Sequence, residues 1–453
     1  VAERVVTVIG GGLAGCEAAW QVAERGGTVR LFEMRPVVRT PAHQTDRLAE
    51  LVCSNSLKSE SLEDASGLLK AEMRALGSLV LRCADGHRVP AGSALAVDRN
   101  GFAAEVTRAV SSHPRIQVIR QEVPELPPDR PIVVATGPLT SDRLSADLSA
   151  RFTAFVPPGA AAPRTSNLLY FYDAISPIVS ADSIDHAVVF AAARYGRGDA
   201  DYLNCPLTRE EYLAFREAVL KGARYPLHEF EEPNYFEGCL PIEELAERGE
   251  DTLRFGPMRP VGLADPRTGR RPYAVAQLRQ ENRGPDGVAT MYNLVGFQTR
   301  LRRGDQRAAL RLIPGLQEVE ILRYGSVHRN TFLMAPRLLT ETLQFRGDPG
   351  IVFAGQLTGV EGYLESAATG LLAGRNAVRR MRGDPCSSPP RTTMLGGLLA
   401  YLTTAEPATF QPINANFGLL PRLSPAVRDR RQRNRLLADR ALSDLHAWQQ
   451  RLP

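Results

Sequence analysis

Six residues near the start of the chain constrain its fold more than any other feature: Gly10-Gly11-Gly12-Leu13-Ala14-Gly15. They follow an apolar, β-branched run from Arg4 to Ile9. They open a segment, Leu13 to Arg25, with small and apolar residues on one helical face, closed by Gly26-Gly27. A second strand-like run, Thr28 to Phe32, ends at Glu33. Strand, glycine turn, helix and strand within about thirty residues make a parallel crossover unit. In the pattern Gly10-x-Gly12-x-x-Gly15 the first glycine permits a tight turn and the second lets a diphosphate approach the backbone. The third lets the helix pack on the strand. The helix N-terminus offers N–H groups and positive dipole character to the phosphates. Glu33 is placed to accept hydrogen bonds from ribose hydroxyls, and an acid there argues against a 2′-phosphate, hence against NADP at this site. The bland alternative is a glycine-rich turn before a helix with no ligand.

At 453 residues the chain is too long for one ordinary core, and two or three domains are expected. It is 43% hydrophobic and 23% charged, enough to bury a sizeable core. No stretch approaches ~20 uninterrupted apolar residues, so no membrane span is expected. The first residues run straight into a strand without a basic region or cleavage site, which makes a cytoplasmic location the expectation. Lys58, Lys70 and Lys221 are the only lysines, and the net charge of +5 is carried largely by arginine. The six cysteines (16, 53, 83, 205, 239 and 386) are scattered, with no C-x-x-C pair and no histidine at zinc spacing. Neither a structural zinc nor a disulfide framework is expected.

Residues 34–64 have little periodicity and read as a long functional loop. Gly67 to Leu76 reads as a helix, and Ile132 to Ala135 as a buried strand running into Thr136-Gly137. From about Pro157 the texture changes to frequent Pro and Gly, clustered aromatics (Tyr170-Phe171-Tyr172, Tyr235-Phe236) and short alternating runs such as Tyr273 to Leu278. The first texture returns near residue 350, with a strand at Ile351 to Ala354, a glycine loop from Gly355 to Gly362 and a helix from Tyr363 to Met381. The expected fold is α/β: a Rossmann-like FAD-binding domain with a parallel sheet, interrupted by an inserted α+β domain. Residues 1–160 are read as its first part, 161–325 as an inserted substrate domain, and 326–453 as its second part with a basic C-terminal tail. FAD rather than NAD is suggested by two loops. Ala135-Thr136-Gly137 resembles the second turn of FAD-dependent two-dinucleotide-domain proteins. The segment from Gly355 through Glu361 and Gly362 into a helix resembles the one that brings a helix N-terminus to the flavin pyrimidine, where a dipole stabilises anionic reduced flavin.

Cys53 lies in Glu50-Leu51-Val52-Cys53-Ser54-Asn55-Ser56, and Cys239 in Phe236-Glu237-Gly238-Cys239-Leu240-Pro241. Both sit in polar, Gly/Pro-bounded loops, unlike Cys16 on the apolar first helix. Cys83 and Cys386 lack catalytic context, and Cys205 stays undecided. The strings ELVCSNS, FEGCLPIEEL, RFGPMRPVGL, LVGFQT, RYGSVHRNT and GVEGYLESAATG together resemble the folate- and FAD-dependent tRNA (uracil-5-)-methyltransferases over almost the whole chain. The resemblance implies that 5,10-methylenetetrahydrofolate donates a one-carbon unit through reduced FAD to C5 of a T-loop uridine (position 54) in tRNA, with NAD(P)H as reductant. It also implies two catalytic cysteines, mapping to Cys53 and Cys239. Uracil C5 is a poor nucleophile until something adds to C6, a task for a thiolate, and a base must then remove the C5 proton. Cys239 is read as the C6 nucleophile and Cys53 as the C5-proton acceptor or a flavin-site thiol, with the reverse assignment open.

Other residues carry paired readings. His328-Arg329-Asn330 either line the folate pocket, imidazole on pterin, or sit in a surface turn. Glu361, Tyr363 and Glu365 either contact flavin or substrate, or serve capping and solvation. Arg428, Arg430, Arg431, Arg433 and Arg435 form a basic stretch suited to RNA phosphates or simply a solvated face. The insert aromatics either stack on an extruded base or are core. The alternatives to the methyltransferase are the related flavoprotein of tRNA wobble-uridine modification and a flavin- and RNA-binding protein without turnover. The first is expected to be longer, with an extra helical domain, and lacks the CSNS and FEGC strings; intact Cys53 and Cys239 speak against the second.

Overall fold

A computed structural model describes residues 5–40, 42–155, 168–196, 201–225, 240–282 and 288–452, without the side chains of 168–175, 196, 327–330 and 408. The chain begins with β1 (Val5–Ile9), α1 (Leu13–Glu24) and β2 (Thr28–Glu33). β1 is five residues of β-branched sequence with four of them buried, the mark of a strand covered on both faces. It pairs in parallel with β2, Val5 opposite Thr28 through Ile9 opposite Phe32.

The segment read as a long loop is only partly one. It contains β3 (Ser56–Ser59), and then come α2 (Ala65–Ala75), α3 (Leu79–Gly86), β4 (Arg88–Val89), β5 (Ala94–Val97) and α4 (Arg99–Ser111). β3, β5 and β4 form a small antiparallel sheet. β6 (Ile116–Arg120), β7 (Ile132–Val134) and α5 (Asp142–Phe155) complete the first stretch. β8 (Leu168–Ile175) then leads outward, and the insert follows as β9 (Ile178–Ser180), β10 (Phe190–Ala191), β11 (Tyr202–Leu207), α6 (Arg209–Lys221), α7 (Ile242–Glu247), α8 (Thr252–Phe255), β12 (Ala274–Gln280), β13 (Met291–Leu294), α9 (Arg303–Leu310) and β14 (Ile321–Arg323). β15 (Ser326–Leu333) returns antiparallel to β8, Ser326 opposite Ile175 and Leu333 opposite Leu168. The chain closes with α10 (Ala335–Leu338), β16 (Gln344–Phe345), β17 (Asp348–Phe353), α11 (Tyr363–Arg382), α12 (Met394–Thr404) and α13 (Arg430–Gln450).

The first sheet has the order β16-β17-β7-β1-β2-β6. β17, from the end of the chain, pairs in parallel with β7, Ile351 opposite Ile132, so the α/β fold is assembled from both ends of the sequence. β16 is its one antiparallel edge. α1 and α11 lie against each other. Cβ atoms added at Gly370 and Gly374 would fall 2.2 and 2.4 Å from the Ala14 and Ala18 carbonyl oxygens. The two backbones touch there, and no larger residue fits. Buried carboxylates cap two helices from a distance: Glu17 accepts from Leu79 and Val80 N–H at the start of α3, and Glu72 from Met394 and Leu395 N–H at the start of α12.

The insert has its own antiparallel sheet of order β10-β11-β12-β13-β9-β14 and its own core, including Val179, Tyr212, Phe215, Leu278 and Phe297. Cys205 is part of that core, fully buried in β11. Among the described residues no helix is long and apolar enough to cross a membrane.

Candidate active site

The glycine turn, the β7–α5 turn and the β17–α11 turn converge on one cleft at the carboxyl ends of the parallel strands. It is an open hollow of about 1040 Å³ including its mouth, lined by Gly10 to Ala14, Glu33, Arg35, His43, Thr136, Gly137, Gly355 and Tyr363 among others. This is the crevice where open α/β sheets bind nucleotides.

The glycine turn depends on absent side chains. Gly10 has φ +103°, and a Cβ at Gly15 would lie 1.7 Å from the Gly10 carbonyl oxygen. A Cβ at Gly12 would meet nothing within 4 Å, because that position faces open space. Gly12 also caps α1 without any side-chain hydrogen bond, which leaves the first-turn N–H groups to a ligand. These residues fit a dinucleotide diphosphate. Glu33 differs from its expected role. Its Oε2 accepts from Gly11 N–H at 2.9 Å, and its Oε1 from Arg35 N–H and Nε–H, both 2.9 Å. Three of a carboxylate's roughly four acceptor positions are thus taken, one by the glycine turn and two by Arg35, which leaves one for a ribose hydroxyl. Burial opposes its charge, but Arg35 holds its carboxyl below the usual range.

Gly355 lines the cleft beside Gln356. Glu361 and Gly362 sit farther along that turn. Glu361 is buried and accepts from Gln356 Nε2 at 2.8 Å, and Gly362 caps α11. Glu365, one turn into α11, accepts from Ala415 N–H at 3.0 Å and pairs with Lys58 at 3.2 Å. His43 accompanies the cleft wall with Nδ1 2.6 Å from Thr40 Oγ1. Burial and the Arg35 charge push it down to about 4, so it is neutral at physiological pH.

Cys53 stands at the edge of this cleft, between its wall residues Val52 and Tyr363, on a segment held almost entirely by side chains. The Tyr363 hydroxyl accepts from Cys53 N–H at 2.7 Å and Ser54 N–H at 3.3 Å. Arg99 donates to the Leu51 carbonyl and to the Cys53 carbonyl at 3.4 Å, while it pairs with buried Glu281 at 2.7 Å. From β12 of the insert, Arg279 donates to Asn55 Oδ1 at 2.9 Å and Ser54 Oγ at 2.8 Å. Asn55 in turn donates to the Gln280 and Val97 carbonyls, both at 2.9 Å. Two non-glycine residues bracket the segment in the left-handed region, Ala49 at φ +51° and Lys58 at φ +61°. Such conformations persist where the surroundings over-determine them. Ala49 N–H bonds the Gly11 carbonyl at 2.9 Å, Lys58 Nζ reaches Glu365 and Asn414, and Lys70 Nζ grips the Ser59 carbonyl at 2.7 Å.

Unlike buried Cys16, Cys83 and Cys205, Cys53 is partly exposed. Arg99 and Arg323 both act on it, and cationic, partly exposed surroundings are where reactive cysteines are found. Burial instead pushes the Cys205 thiol up to about 12 and the Cys83 thiol up to about 11, and it raises Cys16 and Cys386 as well. Cys205 is thereby dropped as a third candidate. Burial also raises the Tyr363 phenol, with Cys53 adding to the effect and Arg99 opposing it.

Cys239 and the Tyr235-Phe236 pair lie outside the described residues. The backbone of His328, Arg329 and Asn330 is in β15, opposite Asp173, Tyr172 and Phe171, rather than in a surface turn; their side chains, like those of Tyr170 to Tyr172, are outside the described set. Arg428, Arg430, Arg431, Arg433 and Arg435 are all exposed around the start of α13. Asn434 tucks inward from the same turn to donate to the Glu63 carbonyl at 2.9 Å, which ties the basic stretch to the loop after β3. No group of three metal-ligating side chains is found among the described residues. Arg99, Arg279, Glu281 and Arg323 were not singled out from sequence. Each is an arginine or acid in an unremarkable run, and only the fold brings them to Cys53.

A model of the family "Glucose inhibited division protein A" matches residues 5–385. The chain is similar to the methylenetetrahydrofolate--tRNA-(uracil-5-)-methyltransferase TrmFO of Moorella thermoacetica, 56% identical over 437 residues that cover 96% of each chain. The protein of the same name from Geobacter sulfurreducens is 55% identical over 444 residues, 98% of each chain. Among solved structures, that of Aquifex aeolicus GidA superposes with a TM-score of 0.66 at 18% identity, covering 98% of this chain and 76% of the other. At that identity the match speaks for the fold alone.

Proposed function

This chain belongs to the glucose inhibited division protein A family and, within it, to the methylenetetrahydrofolate–tRNA-(uracil-5-)-methyltransferases, and on that premise we propose how its residues divide the work. It methylates C5 of a uridine in tRNA with methylenetetrahydrofolate as carbon donor and is a flavoprotein. The finer assignments are the T-loop uridine at position 54, NAD(P)H as reductant and a cytoplasmic location. The division of the chain is 1–160 and 326–453 for FAD, the latter with the basic tail, and 161–325 for substrate.

FAD, when bound, supplies the redox chemistry and the one-carbon relay that the folate donor requires. The N–H groups of Leu13 and Ala14 and the bare Gly10–Gly12 turn hold its diphosphate, Glu33 and Gly11 its ribose side, and Thr136, Gly137 and Gly355 the remaining wall. Gly15 keeps α1 against the turn. Glu361 and Gly362 set the N-terminus of α11. His328, Arg329 and Asn330 of β15 are assigned to the folate side. Arg428, Arg430, Arg431, Arg433 and Arg435 are assigned to RNA phosphates.

The observation that carries the reading is the Cys53 segment: it reaches the dinucleotide cleft, Arg99 and Arg323 act on it electrostatically, and Tyr363 and Arg99 fix its backbone. The Cys239 thiolate adds to C6 of the uracil and makes C5 nucleophilic. Once C5 has taken the carbon, its proton passes to Cys53; the carbon parts from its carrier and becomes methyl with the hydride equivalent that reduced flavin would supply, and departure of the Cys239 sulfur restores the ring. The test uses tRNA containing 5-fluorouracil, which lacks a removable proton at C5. A covalent adduct absent from Cys239→Ala and present in Cys53→Ala supports this order, and the opposite pattern exchanges the two roles. No transfer of label from methylenetetrahydrofolate to tRNA by the FAD-loaded, reduced wild type would overturn the enzyme reading itself.

A further inference from the structure

A second cavity lies at the far end of the helix pair from the glycine cleft. α1 starts at the cleft and ends at Arg25, roughly 18 Å away at ~1.5 Å per residue. There a hollow of about 470 Å³ is walled by Arg25, Arg375, Arg379, Arg382, Asp384 and Trp448. Four guanidinium groups face one carboxylate. Among the described residues none of the four joins a carboxylate in an ion pair; the nearby Glu24 pairs instead with His113 at 3.4 Å.

The four are oriented by neutral acceptors. Arg25 donates to the Gln21 carbonyl at 3.0 Å and to Gln21 Oε1 at 2.7 Å. Arg375 donates to the Leu76 carbonyl at 3.3 Å, Arg379 to the Pro385 carbonyl at 2.6 Å, and Arg382 to the Arg25 carbonyl. A guanidinium carries five N–H donors, so most of them are left for whatever enters the hollow. The Trp448 indole N–H is tied to Ser387 Oγ at 2.9 Å, which fixes that wall. The negative ends of α1 and α11 account for Arg379 and Arg382, which sit in the last turn of α11. They do not account for Arg375, two turns back, since the dipole acts within about one turn. Burial together with Arg25 and Arg379 pushes Arg375 down to about 10. Against these four converging, carbonyl-held cations stand Asp384 in the hollow and, acting on Arg25, Glu17 and Glu24, so positive charge stays in excess.

We propose that this hollow binds a small phosphate-bearing anion with at least two negative charges, a diphosphate being the group whose oxygens match several guanidinium forks at once. The site is distinct from the dinucleotide cleft, and its ligand is separate from FAD and from the uridine substrate.

The test uses the full chain saturated with FAD, so that the glycine turn is filled, at low salt, with inorganic pyrophosphate as probe. Calorimetry is expected to show saturable binding, and the melting temperature to rise with pyrophosphate. In Arg375→Gln/Arg379→Gln the affinity should fall by about tenfold or more, while Arg108→Gln, an exposed arginine on α4, should leave it unchanged. If the arginines served only to hold the helix ends, the double variant would melt lower without pyrophosphate yet keep the same shift with it, and the proposal would be overturned. Absence of saturable binding in the wild type would overturn it too. Comparing inorganic phosphate, pyrophosphate and ADP separates a free anion from a nucleotide. Displacement of pyrophosphate by tRNA would make the hollow an RNA phosphate site and refute the small-ligand assignment.

Discussion

The glycine turn and the Cys53 segment touch one another, yet they are built on opposite principles. The turn is made of backbone. Its shape follows from missing Cβ atoms and from a parallel sheet whose strand β1 is buried on both faces. The Cys53 segment has little regular structure of its own, and it is suspended from the side chains of Arg99, Tyr363, Arg279 and Asn55. Its partners come from α4, α11 and the insert. The first design gives a rigid cradle for an extended ligand. The second gives a thiol whose position depends on the insert being docked, so that the nucleotide-binding unit alone would lack a formed active site.

Substitutions can break this contrast, and the largest effect belongs to the backbone side. Gly15→Ala places a carbon 1.7 Å from the Gly10 carbonyl oxygen, so the turn must open. The variant should purify without flavin, as read by absorbance after gel filtration, and flavin retained at full stoichiometry would refute the backbone account. Next is Arg99→Gln, which leaves the buried Glu281 carboxylate only its longer contact with Arg279 at 3.8 Å. Breaking a buried pair costs about 3–5 kcal/mol, so the melting temperature should drop clearly while any folded fraction keeps FAD. Tyr363→Phe removes the acceptor of the Cys53 and Ser54 N–H groups at about 1–3 kcal/mol. Methyl transfer should fall with flavin content unchanged, and an equal loss of both would merge the two regions into one. The smallest effect is a pH dependence. His43, held neutral down to about 4, takes up its proton at higher pH when unfolded. Its contribution is therefore complete above about pH 6.5 and is lost as pH falls toward 4. Denaturant titrations of His43→Gln between those pH values should show a flatter profile than the wild type.

The same contrast explains what could be read from the sequence. The β1–α1–β2 unit, the Gly355 loop and the return of the nucleotide fold near residue 350 all rest on local spacing, and local spacing encodes backbone geometry. Cys53 was legible through its polar loop and its string of neighbours. Its scaffold was not, since the hydrogen bond from Cys53 to Tyr363 spans 310 residues and that from Arg279 to Ser54 spans 225. Nothing in an arginine's immediate neighbourhood says which carboxylate or carbonyl it will meet. Glu33 was found for its position at the end of β2, but one of its hydrogen bonds holds Gly11 of the turn and two hold Arg35, a duty invisible without the chain folded back beside it. One of the two readings of the His328 stretch puts it in a surface turn, and the backbone is in a strand instead. Its pairing partner, β8, lies some 150 residues upstream, beyond any local pattern.

One pairing in the first sheet has a bearing on how the chain is made. β7 lies between β1 and β17, and Ile132 is matched by Ile351. At about 5–20 residues per second, roughly 10–40 s of synthesis separate the emergence of these two strands from a ribosome. Throughout that interval the nascent chain carries β7 with one side unpaired, an apolar three-residue edge, and β17 can only arrive once the whole insert has been made. The shortness of β7 and the α5 segment that follows it at once give the waiting edge little length on which a foreign strand could dock.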